Sequence, residues 1–252
     1  MIYIKSNREI DKIKKACKVV AGVLELVQKN IKPGVSTYEL NLIAEDYIYS
    51  KNGRPAFKDY TVSGLPPFPS GLCTSVNSCI VHGIPSSQKV LNEGDIISID
   101  VGVELDNYFG DAAVTCGVGK ISKENEDLLK ITKEALDKGI YFAKIGNSIG
   151  DISNAIGEYI VENGYYVAEQ LTGHGVGKQL HEEPMIPNEG IKAIGHKIKK
   201  NMTLALEPMV SIGTSKVKAK EWEYFTANGK NSAHFEHTIL ITDSNPEILT
   251  LI

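Results

Sequence analysis

The sequence predicts an α+β fold in which two helix pairs cover the outer face of an antiparallel sheet. Helical and strand-like segments follow one another in blocks, with two helices and then strands in each half of the chain. Each helix pair has one apolar face, and such a face needs a sheet to cover. The inner face of the sheet is then free to hold a binding site.

An internal repeat relates the two halves of the chain. Five positions of the first half are matched by identical or similar residues 112 positions later. The first set is Lys32, Gly34, Ser36, Leu40 and Tyr47. The matching set is Lys144, Gly146, Ser148, Ile152 and Tyr159. No linker divides the halves. We therefore expect residues 1–252 to form one domain with pseudo-twofold symmetry.

Capping signals and apolar periodicity predict four helices. Ser6 with Glu9 and Ser36 with Glu39 form capping boxes, in which the side chains satisfy free backbone N–H groups of the first turn. Apolar residues at helical spacing follow both boxes, and a Pro-Gly pair and an Asn-Gly pair end these two helices. The later helices are predicted over residues 123–144 and 151–163.

Strands are predicted where apolar residues alternate with polar ones or run together. Residues 55–69 are rich in proline, glycine and serine, which is typical of a loop. The predicted strands cover residues 72–76, 79–82, 95–105, 108–114, 165–171, 202–210 and 233–242.

The composition excludes several classes of protein. The chain has 27 Lys and Arg against 31 Asp and Glu, and this net charge of −4 disfavours nucleic-acid binding. No apolar run approaches the ~20 residues that span a bilayer, and the N-terminus lacks the apolar core of a signal peptide. Four cysteines form no disulfide framework. We therefore expect a reduced, cytoplasmic protein.

Two aspartates are predicted to face each other across a hairpin. Apolar side chains alternate with smaller or polar ones along residues 96–105, which places Asp100 on the face away from the apolar residues. A hairpin centred near Leu105-Asp106 puts Asp111 directly opposite Asp100. Two opposed carboxylates repel each other, so such a pair indicates a raised pKa or a bound cation. A solvated strand face is the alternative for either residue alone.

Two glutamates and one histidine extend this acidic group. Glu207 ends an apolar strand and Glu236 lies among apolar and aromatic residues, although glutamate is rarely buried unless it is paired. His174 lies between glycines that permit close backbone approach. Two aspartates, two glutamates and one histidine suit a pair of divalent ions, and this oxygen-rich set suits Mn, Fe, Co or Zn.

Other arrangements of chemical groups remain as alternatives. Cys73, Cys79 and His82 are irregularly spaced for a structural zinc knuckle, but they contain its ligand types. Spacing alone does not exclude a Cys–His protease, although no cysteine has a family signature around it. Gly177-Lys178 lacks the flanking residues of a phosphate-binding loop.

Seven short motifs extend over nearly the whole chain. They are Thr74-Ser75-Val76-Asn77, Val81-His82-Gly83-Ile84-Pro85, Ile99-Asp100-Val101 with Gly110-Asp111, Gly173-His174-Gly175-Val176-Gly177, His181-Glu182-Glu183-Pro184, Leu206-Glu207-Pro208-Met209 and Glu236-His237-Thr238. In content and order they closely resemble the motifs of the type I methionine aminopeptidases. That family has the pita-bread fold, a curved pseudo-twofold antiparallel sheet with helix pairs on its outer face.

The resemblance implies a role for each candidate ligand. It implies that two divalent ions (Co, Mn, Fe or Zn) are bound by Asp100, Asp111, His174, Glu207 and Glu236. By the family pattern Asp111 and Glu236 bridge both ions and Asp100 binds one of them. His174 and Glu207 bind the other ion.

The resemblance also implies the reaction. The family removes the N-terminal methionine from nascent proteins and peptides that have a small second residue. A bridging hydroxide attacks the scissile carbonyl, and Glu207 acts as general base and then general acid. The implied catalytic residues that bind no metal are His82 and His181. The implied substrate-binding residues are His82, His181, Phe68, Cys73 and Trp222.

One segment departs from the family pattern. The family has a Gly-aromatic-x-Gly-aromatic-Pro stretch where this chain has residues 64–69, with Leu65 in place of an aromatic residue and Pro67 in place of a glycine. We therefore expect a substrate pocket that is wider or differently shaped than usual. Near the last motif, alternation places His234 on the strand face of Glu236, in an outer layer of the site, and turns His237 away.

Two other functions and several partners follow from the same resemblance. A proline-directed aminopeptidase or prolidase has the same fold, and a non-catalytic pita-bread binding module is the second alternative. The complete ligand set argues against the binding module. The resemblance further implies a monomer that acts on the N-terminal peptide of nascent proteins and associates transiently with the ribosome. Neither nucleic acid nor a membrane is an expected partner.

Overall fold

The computed structural model describes residues 2–251, which form four helices and fifteen strands. The helices are α1 (Asn7–Asn30), α2 (Thr37–Ser50), α3 (Lys123–Phe142) and α4 (Ile149–Glu162). The strands are β1 (Arg54–Pro55), β2 (Cys73–Val76), β3 (Cys79–Val81), β4 (Ile96–Leu105), β5 (Tyr108–Gly117), β6 (Tyr166–Val167), β7 (Thr172–Gly175), β8 (Glu182–Pro187), β9 (Thr203–Leu206), β10 (Met209–Ser211), β11 (Val217–Lys220), β12 (Glu223–Thr226), β13 (Ser232–His234), β14 (His237–Leu240) and β15 (Glu247–Ile248). None of these helices has a stretch that is long and apolar enough to cross a lipid bilayer.

The second helix of each pair follows the internal repeat. Both α2 and α4 have 14 residues, and each begins directly after a serine that belongs to a capping box. These serines, Ser36 and Ser148, are the residues that the 112-residue repeat relates. Each also forms an isolated antiparallel β-bridge, with Val90 and Lys197 respectively. The two halves therefore repeat their backbone as well as their sequence.

All the strand pairs among residues 2–251 are antiparallel. In the first half, β4 pairs with β1, β2 and β5. The second half contains a five-stranded sheet in the order β15-β14-β9-β7-β8. Two three-stranded sheets, β13-β10-β6 and β11-β12-β3, complete the structure, and the latter joins a strand of the first half to a hairpin of the second.

The long strand β4 separates an apolar core from the inner face. Its odd-numbered residues Ile97, Ile99, Val101 and Val103 are fully buried in one cluster with side chains of α1 and α2. Side chains alternate along a strand, so Asp100 points to the opposite face. In the second half, α3 and α4 contribute in the same way to a core with β9 and β10. The helices thus cover the outside of both halves, as the sequence predicts.

The hairpin that joins β4 to β5 corrects one sequence-based expectation. Its turn residues Asp106 and Asn107 both have positive φ, 52° and 61°, as a two-residue type I′ turn requires. The turn is therefore centred between these two residues, and Asp111 pairs with Gly102 rather than with Asp100. The prediction of direct opposition was wrong, but both aspartates lie on the same face of the hairpin.

Two predicted strands are each broken at a glutamate. The run 202–210 divides into β9 and β10 around Glu207-Pro208, because proline has no N–H to donate to a ladder. The run 233–242 divides into β13 and β14 around Phe235-Glu236. Both glutamates therefore stand at breaks, where the backbone leaves the regular sheet.

Smaller differences have local causes. The predicted strand over 165–171 is reduced to the two residues of β6, and β7 and β8 were not predicted because glycines and mixed polar residues mask their alternation. Helix α4 begins at Ile149, two residues before the predicted start. The cause is that Asp151 is the third helical residue and accepts a hydrogen bond from the backbone N–H of Ser148 at 2.7 Å.

Candidate metal centre

A cavity of about 330 Å³ opens beside the inner face of β4 and β5. It is lined by the five candidate metal ligands, Asp100, Asp111, His174, Glu207 and Glu236. The same cavity is lined by the other predicted site residues, Phe68, Cys73, His82, His181 and Trp222. Residues from both halves of the chain therefore meet in one place.

Four of the five ligand candidates approach one another closely. Ligand atoms of Asp111, His174 and Glu236 all lie within 4.8 Å of one another. A second group with the same spacing contains Glu207, His234 and Glu236. Glu236 belongs to both groups, which suits a residue between two ions. Asp100 lines the cavity without joining either group.

The His174 ring is oriented by its own strand. Its Nδ1 lies 2.9 Å from the carbonyl oxygen of Gly175, so Nδ1 carries the hydrogen and Nε2 is left free as an acceptor. This Nε2 lies 3.4 Å from Oε1 of Glu207 and 3.9 Å from Oδ2 of Asp111. A Cβ on Gly175 would lie 2.4 Å from the carbonyl oxygen of Glu183, so only glycine allows the neighbouring backbone this close.

Asp111 and Glu236 are brought together by hydrogen bonds between their segments. The N–H of Asp111 donates to the Thr238 hydroxyl at 3.2 Å, and that hydroxyl donates to the Asp111 carbonyl at 2.8 Å. Two residues along, the N–H of Glu236 donates to the carbonyl oxygen of Ala113 at 2.8 Å. These contacts fix the break in the sheet at Glu236 against the middle of β5.

The acidic residues of the cavity have strongly raised pKa values. Burial, which disfavours the charged form, raises the pKa of Glu207 to about 8 and that of Asp100 to about 7. The pKa values of Asp111 and Glu236 are also raised well above the usual range, first by burial and then by the neighbouring carboxylates. The surrounding protein therefore does not offset the cost of ionising these buried carboxyl groups.

Several carboxyl oxygens of the cavity have no hydrogen-bond partner. They are Oδ1 of Asp100, Oδ1 of Asp111 and Oε1 of Glu236, all of which are buried. Buried polar atoms are normally hydrogen-bonded, and burying a charge is costly unless it is paired or coordinates a metal. Orphaned carboxyl oxygens beside a free imidazole nitrogen therefore fit divalent cations. Within residues 2–251, neither group of candidate metal ligands contains a cysteine.

The two predicted catalytic histidines both line the cavity but differ in exposure. His181 is exposed, its ring centroid lies 4.5 Å from that of His174, and its Nδ1 lies 2.9 Å from the hydroxyl of Tyr60. His82 has positive φ (58°) and packs edge-on against Tyr224, with ring centroids 5.7 Å apart. Burial lowers the pKa of His82 to about 4, so its ring is neutral at physiological pH.

The apolar end of the cavity is built around Trp222. Its ring packs edge-on against Phe68 at a centroid distance of 5.5 Å, and its indole N–H donates to the carbonyl oxygen of Pro66 at 2.8 Å. Cys73 completes this wall, and burial raises the pKa of its thiol well above the usual range. A thiol with a raised pKa is a poor nucleophile, which argues against the Cys–His protease alternative.

Several lining residues were missed by sequence reasoning. They include Phe57, Tyr60, Val62, Gln170, Thr172 and Met209. Most belong to loops or short strands and have no periodic signal of their own. Tyr60 lies in the loop 55–69, whose composition predicts only irregular backbone. Leu65, at the departure from the family pattern, packs against the apolar cluster that contains Trp222.

Comparison with known proteins shows which family the chain belongs to. Residues 11–243 match the sequence profile of metallopeptidase family M24. The chain is 46% identical to the methionine aminopeptidase of Clostridium acetobutylicum, with 100% of this chain and 99% of that protein covered. It is 45% identical to methionine aminopeptidase 1 of Bacillus subtilis, with both chains covered completely.

A solved structure extends the comparison to the backbone. A crystal structure of methionine aminopeptidase from Thermotoga maritima superposes with a TM-score of 0.97 at 43% identity, and 100% of each chain is covered. This likeness confirms the pita-bread fold that the sequence motifs imply.

Proposed function

The chain belongs to metallopeptidase family M24, and we propose that it is a methionine aminopeptidase. The single observation that carries this proposal is that one cavity contains both a group of candidate metal ligands and an apolar wall. Orphaned carboxyl oxygens and a free imidazole nitrogen lie at one end, and a closed apolar wall of Phe68, Cys73 and Trp222 lies at the other. An unbranched thioether side chain suits that wall, while the adjacent amide bond reaches the acidic end.

Asp100, Asp111, His174, Glu207 and Glu236 are the residues that we propose hold two divalent cations. When bound, such cations polarise a carbonyl and lower the pKa of a coordinated water to near neutrality. Manganese, iron, cobalt and zinc all suit this oxygen-rich set. The finer assignment, with Asp111 and Glu236 bridging both ions, is also a proposal and follows the family pattern.

Glu207 is the proposed general base and acid. Its carboxylate accepts a proton from the attacking water as the oxygen bonds to the scissile carbonyl carbon. When the carbon–nitrogen bond breaks, Glu207 returns that proton to the departing amide nitrogen. The products are free methionine and a shortened peptide with a new N-terminal amine, so atoms and protons balance.

We propose that His82 and His181, which line the cavity, act on the substrate amide. With the Tyr60 hydroxyl donating to Nδ1 of His181, Nε2 of His181 carries the hydrogen and donates to the carbonyl oxygen as its charge grows. His82 is placed to contact the amide nitrogen at the cleaved bond. The small second residue of the proposed substrate follows the family pattern.

We also propose where this reaction takes place. The four cysteines are free thiols, which is usual in the cytoplasm. The proposed substrates are nascent proteins at the ribosome. We propose that this protein is a monomer and that it associates transiently with the ribosome. Size-exclusion chromatography of the purified protein tests the monomer.

A peptide panel tests the proposed function. The purified protein is loaded with each divalent metal in turn and assayed on Met-Ala-Ser, Leu-Ala-Ser and Ala-Pro-Ser. The proposal expects clear preference for the methionine peptide, and preference for the proline peptide would instead show a proline-directed enzyme. Glu207→Gln is the matched control, since it keeps the shape of the side chain and should lose turnover while remaining folded. Absence of turnover on every peptide with every metal would favour the binding module.

A further inference from the structure

His234 is a buried histidine whose ring is not satisfied by the protein around it. The residue is 1% exposed, and both ring nitrogens lack a hydrogen-bond partner. Most buried polar side-chain atoms have at least one partner, so an imidazole left in this state indicates a role that its immediate packing does not explain.

The backbone of His234 is held on both sides by hydrogen bonds and strand pairing. Its N–H donates to the Thr115 hydroxyl at 2.8 Å, and that hydroxyl donates to the His234 carbonyl oxygen at 2.8 Å. Ser98 lies 2.8 Å from the same hydroxyl and supports it from β4. On the other edge of β13, His234 pairs with Met209, the second residue after Glu207. These contacts place the ring behind the wall of the cavity.

The ring faces the carboxylate of Glu207. Nε2 of His234 lies 3.4 Å from Oε2 of Glu207, and Nε2 of His174 lies 3.4 Å from the other oxygen, Oε1. The carboxylate therefore lies between two imidazoles, one near each oxygen. His174 lines the cavity, whereas His234 stands behind it.

We propose that His234 is a positioning residue, whose Nε2–H donates a hydrogen bond to Oε2 of Glu207 and turns Oε1 towards the cavity. The proposal rests on the proposed function, in which Glu207 binds a cation and transfers the proton. The observed 3.4 Å is long for a hydrogen bond, and catalytic hydrogen bonds are often long before the ligands bind. A small rotation of the carboxylate brings the two atoms into range.

A positioning role does not require the His234 ring to line the cavity. Residues that orient a metal ligand through a hydrogen bond fix its geometry, and their loss typically costs about 10–100-fold in metal affinity or activity. His234 would orient Glu207 in this way, and Glu207 both binds a cation and transfers the proton. Its effect should therefore fall on metal binding and on kcat, and much less on KM for the peptide.

Paired substitutions test the proposal. His234→Leu removes the donor while keeping an apolar side chain in the space, and His234→Gln keeps an N–H donor at the end of the side chain. The matched control is His237→Gln, since His237 lies one residue after Glu236 but bonds outside the cavity, with its Nδ1 2.9 Å from Thr250. Metal-free protein is titrated with MnCl₂ by calorimetry, and kcat and KM are measured on Met-Ala-Ser.

We expect His234→Leu to weaken Mn²⁺ binding and lower kcat by about 10–100-fold, with KM changed much less. His234→Gln should recover most of both losses, and His237→Gln should behave as wild type. If His234→Leu does not fold, His234→Asn replaces it, because its shorter amide cannot reach Glu207 and should show the same losses.

Two results would overturn the proposal. One is Mn²⁺ affinity and kcat within about threefold of wild type in His234→Leu. The other is a loss in His234→Gln as large as in His234→Leu, together with altered visible absorption bands of the Co²⁺-loaded protein, which would make His234 a direct ligand. Calorimetry requires no turnover, so the comparison of metal affinities decides the role of His234 even if the peptide assay contradicts the proposed function.

Discussion

The chemistry of the cavity depends on single carboxyl groups that the fold leaves without partners. Asp111 is 3% exposed, and one of its oxygens makes no hydrogen bond. Neighbouring carboxylates raise its pKa further than burial alone does. The protein thus tolerates a local cost in stability at the place where a cation would bind, as functional sites commonly do.

Replacing Asp111 by asparagine should therefore have opposite effects with and without metal. In chelator, Asp111→Asn removes one carboxyl group from a crowded buried cluster, and we expect the Tm to rise by about 2–4 °C, which corresponds to about 1 kcal/mol at this chain length. With Mn²⁺ in excess, wild type should be the more stable protein because binding to the folded state stabilises it. Differential scanning calorimetry measures both cases. A lower Tm for Asp111→Asn in chelator would contradict the account.

Sequence reasoning identified some site residues and could not identify others. The carboxylates and His174 were found from the residues because charged groups in apolar strands require an explanation. His82 and His181 were separable from the other histidines only through the family resemblance, since nothing in periodicity distinguishes them. No sequence pattern indicated Tyr60, because its contact with His181 joins residues that are 121 positions apart in the chain.

At the scale of elements, the starts of α1 and α2 were predictable because capping is local. The Ser6–Glu9 box is present as expected, with the Ser6 N–H donating to Oε2 of Glu9 at 2.8 Å. Hydrogen bonds from Ser6, together with the Lys178 ammonium at 3.0 Å, lower the pKa of Glu9 to about 2. The negative charge also suits the positive end of the helix dipole.

This lowered pKa predicts how the cap contributes to stability at different pH. A carboxylate whose pKa falls on folding stabilises the protein above its unfolded value of 4.5, and the contribution is lost as pH falls towards 2. The difference in unfolding free energy between wild type and Glu9→Gln should therefore be constant above about pH 5 and shrink between pH 5 and 2. Urea titrations at several pH values measure it.

The same series in a Ser6→Ala background provides the control. Without the serine hydroxyl, the dependence on pH should be weaker. A difference between wild type and Glu9→Gln that stays the same at pH 6 and pH 3 would show that the box contributes nothing through its charge.

Strand boundaries and register were less predictable than helix starts. The register of the β4–β5 hairpin depends on positive φ at both Asp106 and Asn107, and the sequence permits other turn centres. The breaks at Glu207 and Glu236 appear only when β9 and β14 are paired with each other and with neighbouring strands. Long-range pairing of this kind leaves little local signal.

At the scale of the whole molecule, the first residues of the chain support a loop beside the cavity. The Lys5 ammonium lies 2.7 Å from Oε2 of Glu182, and both side chains are 3% exposed. The other oxygen of Glu182 accepts hydrogen bonds from the backbone N–H groups of Lys178 and Gln179 at 2.6 and 3.1 Å. This ion pair therefore holds the turn that precedes His181.

Lys5→Met should be strongly destabilising. Removing one partner of a buried ion pair leaves an uncompensated charge and typically costs about 3–5 kcal/mol. Lys178→Met, which removes an exposed ion pair with Glu9, should cost about 1 kcal/mol or less. Urea unfolding of both variants compares the two costs. Equal losses would mean that the Lys5–Glu182 pair contributes no more than a surface pair.

The fold class followed from the order of elements and the internal repeat, since both are properties of the whole sequence. We propose that residues 1–252 act as one catalytic domain, because the first half supplies Asp100 and Asp111 and the second supplies His174, Glu207 and Glu236. The chelator-treated protein should then unfold in one cooperative transition, seen as coincident unfolding curves from different probes. Two transitions would indicate halves that fold independently.

Metal stoichiometry against activity tests the central claim most directly. The protein is stripped with chelator, dialysed, and titrated with Mn²⁺ or Co²⁺ while bound metal and cleavage of Met-Ala-Ser are measured on the same samples. The account predicts no turnover in the stripped protein, binding of up to two ions per chain, and recovery of activity as the site fills. Full turnover by protein that contains no detectable metal would contradict it.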